Sequence, residues 1–352
     1  MRPRAGPPAT WRLTTWPARH GQVVGGRTAG TNIRVSRSRA RFFARRDGTS
    51  AVAADFRMRA AERLEHAHAL DGAASTLTGL LRRVLPSGGW ADVLHGVPFG
   101  QPVHPALTGL PLGFWTSATV LDFVPGSERG ARALIAFGLA STVPTAAAGW
   151  ADWSALHREQ QRVGLVHAAS GACASTLFAA SLLARGTGRN AAGRVLSIGG
   201  LAAAAAGGYL GRHLAYSLGA GTSHAEPVTH LAPLGWHDLC AAAGLPDGRA
   251  VRRQLGYLAL VLIREGAEVS ALADQCAHLG GPLHQGRLDA GPGGSCIVCP
   301  WHGSTFRVAD GAVVHGPATA RQPAFEVRVS DSGMVQVRPR KPRQGHAERS
   351  RR

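Results

Sequence analysis

The pattern of apolar and charged positions divides the chain in two. Four stretches, 105–121, 133–151, 163–184 and 195–211, carry no charged residue over 17, 19, 22 and 17 positions. A helix needs about 20 predominantly apolar residues to cross the hydrocarbon core of a bilayer, and short polar segments at 125–132, 152–162 and 185–194 separate the runs. The pattern predicts a four-helix transmembrane bundle over 101–215 with up-down topology. The runs are rich in Ala and Gly and lean in Leu, Ile and Phe, so a soluble Ala-rich helical domain is the competing reading. Small residues such as Gly207 and Gly211, at GxxxG spacing, suit close helix contact in lipid. Upstream, 59–85 has helical composition and stops at Pro86 and Gly88-Gly89, which makes 58–100 an amphipathic helical lead-in.

Beyond residue 216 the period changes. A Gly/Ser/His/Pro linker at 216–229 leads into short segments with strand composition at 257–264, 268–272, 296–300, 304–308, 312–314, 324–329 and 334–337, separated by Gly, Asp and Pro turns. Residues 230–339 are predicted to form a small antiparallel all-β domain. The fold class is therefore α + β in separate domains, helical bundle first.

Charge changes the picture only at the ends. Of the formal +18, residues 1–57 contribute +10 and 338–352 contribute +6, leaving +2 for the middle. No folded nucleic-acid-binding surface is indicated. The ends, 1–57 and 340–352, lack periodicity and are expected to be disordered; a basic tail of this kind can hold a chain to anionic lipid, and Met58, where the patterning begins, is an alternative initiation site. The first 57 residues hold no apolar run of signal-peptide length, so the expected location is the cell membrane, multi-pass, with the β domain on the cytoplasmic side.

There are five cysteines, an odd number, and three of them (Cys276, Cys296, Cys299) lie near His278 and His302. That argues for a metal site over a secreted disulfide framework. Two loops, Cys276-Ala277-His278 and Cys299-Pro300-Trp301-His302, each offer one thiolate and one imidazole. A [2Fe-2S] cluster has two irons and four protein ligands, and two imidazoles in place of two thiolates raise its potential. One Cys and one His from each loop lets both sulfurs reach one iron and both nitrogens the other. Gly280, Gly281 and Gly303 permit tight turns that aim N–H groups at the cluster, and the Ser304 hydroxyl is a further candidate donor. The alternative is a Cys2His2 zinc site, although zinc modules group like ligands together. Cys296 reads as a small apolar residue on the strand entering the second loop.

The segments CAHLGGPL and CPWHGSTF, beginning at Cys276 and Cys299, closely resemble the Rieske ferredoxin signature, and Gly316-Pro317-Ala318 resembles the proline loop that shields the cluster in that family. The resemblance implies one-electron transfer with an unidentified redox partner protein. Rieske subunits of respiratory complexes carry an extra cysteine in each loop; here those positions are Gly281 and Trp301, which suits a reducing compartment. Rieske oxygenases need a second domain holding a mononuclear iron, and nothing after residue 339 is long enough for one.

The helical half resembles an uncharacterised family of four-helix bacterial membrane domains, on the strength of His104-Pro105, Asp122, Gly149 with Asp152, and His167. In an up-down bundle His104, Asp152, His157, His167 and His213 share the face that carries the β domain. Ionisable groups at membrane depth are costly and tend to be functional; His104 and His167 are the best pair for a haem or quinone site, while interfacial anchoring is the plainer reading. Asp122 falls on the opposite face, where capping or topology is its simplest role. Two functions are compatible with these features. One is a membrane-anchored electron carrier; the other is a membrane oxidoreductase whose histidine-lined face is served by the Rieske domain. A redox-sensing scaffold is a third.

Overall fold

The computed structural model describes residues 58–85 and 88–340; of the segments expected to be disordered, 1–57 and 340–352, all but Arg340 lie outside the described residues. Four long helices form the bundle: α3 Val103–Leu121, α4 Glu128–Ser154, α5 Arg158–Gly186 and α6 Asn190–Arg212. Three segments, Glu128–Ser154, Arg158–Gly186 and Asn190–Ser217, are long and apolar enough to cross a membrane. Helix α3 falls short on composition, because His104, two prolines and several Thr and Gly dilute its 19 residues.

The lead-in is not one helix. A helical stretch over 58–65 breaks at 66–67 before a 3-10 turn, His68–Leu70, and helix α1, Asp71–Val84, while α2, Gly89–His95, follows the Gly88-Gly89 stop. Arg162 of α5 occupies the break. Its guanidinium donates to Asp71 Oδ1 and Oδ2 at 2.7 and 2.9 Å and to the Glu65 carbonyl at 2.6 Å. A buried guanidinium has only donors to satisfy, and the carbonyl it takes is one a continuous helix would have used itself.

The bundle is built from two similar hairpins. His104, Trp115 and Asp122 of the first sit 63 positions before His167, Phe178 and Arg185 of the second, and each residue meets its counterpart. The His104 and His167 ring centroids are 6.1 Å apart. Trp115 stacks on Phe178 at 4.4 Å with 12° between the planes. Asp122 and Arg185 form a two-pronged ion pair at 2.5 and 2.7 Å. The partner helices repeat as well: Gly138 and Gly200 leave room for Trp115 and Phe178, and Gly149 and Gly211 for His104 and His167. Gly138-Leu139-Ala140 recurs as Gly200-Leu201-Ala202. Because α3 and α5 run the same way, the hairpins are parallel repeats about an axis along the bundle, an arrangement known among membrane proteins.

The expectation for Asp122 is corrected here. Its carboxylate is buried opposite Arg185, whose remaining N–H groups reach Ser181 and Ser197 at 3.1 and 3.2 Å. Pro111 frees the Leu107 carbonyl, and the Thr145 hydroxyl, which donates to the Ser141 carbonyl at 2.7 Å, lies 3.4 Å from it.

The C-terminal half is all-β. A six-stranded antiparallel sheet has the order β1 (His237–Ala241), β10 (Met334–Pro339), β9 (Ala324–Val329), β4 (Glu268–Ala273), β3 (Leu258–Glu265), β2 (Ala250–Leu255). A four-stranded one runs β5 (Arg287–Gly291), β6 (Gly294–Val298), β7 (Thr305–Arg307), β8 (Val313–His315). Strand β3 is buried on both faces. Val261 and Ile263 pack with Ile297 and Phe306, while Leu260 and Leu262 pack with Val335 and Val337, which is why its apolar residues run without alternation. Strands β1, β2 and β5, which the sequence pattern does not pick out, are all edge strands. Edge strands are short and carry charge to avoid further pairing. The linker holds a short helix, α7 (Glu226–Leu231), whose Val228 joins the β core.

Removing one partner of a buried ion pair costs about 3–5 kcal/mol, whereas replacing both with apolar residues is often neutral. Asp122→Ala should therefore lower the thermal midpoint of the detergent-solubilised chain sharply, and Asp122→Leu with Arg185→Met should restore most of it. Equal losses in the single and double variants would show that the pair does not hold the hairpins together.

Candidate metal centre

Two loops converge at one end of the β domain, 274–286 between β4 and β5 and 299–304 between β6 and β7. Their backbones match. In the first, Cys276 N–H donates to the Gly281 carbonyl and Gly280 N–H to the Cys276 carbonyl, both at 2.9 Å. In the second, Cys299 N–H donates to the Ser304 carbonyl at 2.8 Å and Gly303 N–H to the Cys299 carbonyl at 3.1 Å. Each turn closes on a glycine four residues after its cysteine, Gly280 at φ 78° and Gly303 at φ 77°, a conformation that a side chain opposes. The turn geometry also sends the N–H groups of His278 and Leu279 to Cys276 Sγ and those of Trp301 and His302 to Cys299 Sγ. Gly281 serves differently from the tight-turn role expected of it. A Cβ there would lie 2.8 Å from Cys299 Sγ and 3.1 Å from the Trp301 ring, so its task is close approach between the loops.

The four side chains sort into like pairs. The Cys276 thiol donates to Cys299 Sγ; this hydrogen bond pulls Cys299 down to about 7 and pushes Cys276 above the ordinary thiol range. On the other side the His278 and His302 rings are 5.1 Å apart between centroids, at 84°. Burial, and then the neighbouring imidazole, lowers His278 to about 3; burial, and then His157, lowers His302 to about 4. Both rings are thus neutral across the physiological range, the form in which imidazole binds a metal. His278 Nδ1 is buried and makes no hydrogen bond. Among the described residues no three His, Cys, Asp or Glu side chains gather around one point as a single ion would require. Cys296 lies in β6, fully buried, away from the pairs.

A third segment, 316–323, covers the site. Ala318 N–H donates to Ser304 Oγ at 3.0 Å, so Ser304 joins this loop to the second turn. Buried Gln322 accepts from Ala277 N–H at 2.9 Å and donates to the Ala273 and Gln275 carbonyls at 2.8 Å. It clamps the first turn, a role without a sequence signal because its partners lie more than forty residues away. Pro317 lines a small cavity with His278, His95 and Asp152.

That cavity sits against the helical half. Asp92 of α2 accepts the Gly316 N–H and lies beside His315 Nδ1, both at 2.8 Å. His95 Nδ1 is 2.8 Å from Asp152 Oδ1 at the end of α4. His157, the residue that caps α5, places its ring 5.2 Å from Trp301 and 5.4 Å from His302. Of the other expected site residues, His104 and His167 meet each other within the bundle, apart from this edge, and His213 Nε2 is tied to Glu65 Oε1 at 2.7 Å.

Fold and site define a small all-β domain with a centre of two Cys and two His, docked on a bundle of membrane type. Comparison with known proteins makes this specific: residues 235–326 match the Rieske [2Fe-2S] domain and residues 100–224 match a predicted membrane protein domain, DUF2231. The apoptosis-inducing factor 3 proteins of mouse and human are 30% identical over 91 residues, 26% of this chain, and the match spans only 14% of their length. The anthranilate 1,2-dioxygenase ferredoxin subunit of Burkholderia cepacia is 28% identical over 102 residues, 29% of this chain and 90% of its own. Among solved structures, a chain from the oxygenase–ferredoxin complex of carbazole 1,9a-dioxygenase is 34% identical, covering 30% of this chain and 95% of its own, with a TM-score of 0.27.

Because a Cβ at position 281 would overlap Cys299 Sγ and Trp301, Gly281→Ala should force the loops apart at a cost on the order of 1–3 kcal/mol and reduce bound iron per chain. Gly244→Ala, which meets nothing within 4 Å, should keep its iron. Iron analysis of the two variants checks this, and full iron content in Gly281→Ala would contradict it.

Proposed function

We propose that the chain is a membrane-anchored one-electron carrier in which Cys276, His278, Cys299 and His302 hold the [2Fe-2S] cluster, and in which electrons pass between a soluble redox partner and the membrane domain. The like-with-like pairing of the four side chains carries the assignment. Two neighbouring thiols that each receive two backbone N–H groups suit one iron of a mixed-ligand cluster, and two neutral imidazoles suit the other. A single zinc ion would need all four around one point. When bound, the cluster supplies a one-electron couple; Gly280, Gly303, Ser304 and Pro317 shape its surroundings.

The direction of exchange follows from what touches the site. The imidazole pair and the proline loop are covered by the chain's own helical half, through His157, His95 and Asp92. This favours transfer into or out of the membrane domain, and with it the reading that a haem or quinone on the His104–His167 face completes an oxidoreductase.

The same contacts bear on the number of crossings. Asp92 precedes α3 and touches the β domain, which follows α6, so an even number of spans must separate them. With three candidate spans already in α4 to α6, α3 is the fourth, its 19 residues reaching about 28 Å at 1.5 Å each. We place the shared face in the cytoplasm, where five free cysteines suit a reducing compartment.

Full-length protein reduced with dithionite in detergent should give the low-average-g EPR signal of a mixed His/Cys cluster, and His278→Cys should change it. Colourless, EPR-silent protein with stoichiometric zinc would sink the assignment. For topology, cysteines introduced singly at Trp90 and Ser127, which flank α3, in a background with exposed Cys173 replaced, should react with a membrane-impermeant maleimide from opposite sides of sealed vesicles. Labelling of both from one side would rule out four spans.

A further inference from the structure

We infer that His104 and His167 form a second metal site, within the membrane domain, that takes one metal through two opposed imidazole nitrogens. The inference rests on reading the bundle as the electron-exchanging partner of the Rieske domain, and it specifies what that bundle holds. The two rings occupy equivalent places in the repeated hairpins and stand 6.1 Å apart between centroids with their planes at 88°. A metal with imidazole nitrogens on opposite sides at about 2.0–2.1 Å would hold the ring centroids about 6 Å apart.

The tautomers are fixed from behind. His104 Nδ1 lies 2.9 Å from the Thr145 carbonyl and His167 Nδ1 lies 2.8 Å from the Gly207 carbonyl. A carbonyl can only accept, so each Nδ1 carries the proton and each Nε2 keeps its lone pair. A backbone carbonyl on the non-ligating nitrogen is the recurring support of a metal-bound imidazole. Among the described residues neither Nε2 has a hydrogen-bond partner. A quinone carbonyl would find no donor on this pair, which favours a metal.

Packing alone does not account for the arrangement. One layer further into the bundle the repeat fills the same axial position with Trp115 on Phe178, an aromatic pair without the cost of ionisable groups at membrane depth. The histidine layer keeps the same matching of ring to glycine but sets ionisable rings in it, with a Cβ at Gly149 or Gly211 coming within 2.7 Å of His104 Nδ1 or 3.1 Å of His167 Cε1. The backbone gives way to keep both imidazoles in place.

Two sources share this chemistry, haem iron and a bare late first-row ion such as copper(I). The test uses the full chain, purified in detergent without a polyhistidine tag and titrated in separate arms with haemin and with copper(I). His104→Asn and His167→Asn each retain an N–H for the carbonyl and lose the imidazole, so a purely structural role would survive them. The expected result is one equivalent bound per chain in one arm, weakened in both variants by at least the roughly 10–100-fold lost when a mere supporting group is removed, with the cluster EPR signal unchanged. A shifted Soret band would identify haem; binding in the copper arm alone would identify a bare ion. No stoichiometric binding in either arm, or equal binding by wild type and both variants, would overturn the site. Loss of the cluster signal in wild type with histidine-dependent binding retained would overturn the Rieske assignment and leave this one standing.

Discussion

Asp92 holds the two halves of the chain in register. Its carboxylate takes the Gly316 N–H and faces His315 at 2.8 Å, while three residues on His95 reaches Asp152 at the end of α4. A carboxylate accepting a backbone N–H is among the stronger hydrogen bonds available to a protein, and here it grips the loop that covers the imidazole pair. The neighbouring Gly316 has no space for a side chain, since a Cβ would lie 3.2 Å from His95 and Val97.

The bundle meets a different constraint. Its helices are lean in large apolar residues, so contacts between them cannot rely on bulk packing, and in lipid there is no hydrophobic force between helices to help. The repeat answers with one specific contact per layer along the axis: imidazoles at the β-domain end, a stacked aromatic pair in the middle, and a buried ion pair at the far end. Each large side chain is matched by a glycine on the neighbouring helix. Arg185 makes the ion pair affordable at such depth, because Asp122, Ser181 and Ser197 satisfy its donors.

What the sequence discloses depends on how far apart the cooperating residues lie. The helices and the paired Cys/His loops are legible because hydropathy and CxH or CxxH spacing are local. The central strands are legible for the same reason, and the charged edge strands β1, β2 and β5 are not. Asp92, His157 and Gln322 carry no local signal; their importance comes from partners 224 positions away at Gly316, at His302, and at Ala277. The internal repeat is hidden for a further reason. Ala and Gly dominate both copies, so only the glycines and the axial residues keep the correspondence. Asp122 was open to a capping role because its ionic partner lies 63 residues on.

Joining an electron-transfer domain to its membrane domain changes the physics of their encounter. A free ferredoxin must find its partner by diffusion and dock on a specific patch, which limits association rates and makes them sensitive to salt. In one chain the encounter is intramolecular, with an effective concentration set by the linker, and here the two faces are already in contact. From His157 beside His302 to His167 is ten residues of α5, about 15 Å at the helical rise. One straight helix therefore spans the distance from the edge of the Rieske site to the histidine pair, and its orientation is held at one end by Arg162 and at the other by Arg185. The path from His157 to the histidine pair thus depends on a rigid element, while movement of the β domain would act at its contacts with His157 and Asp92.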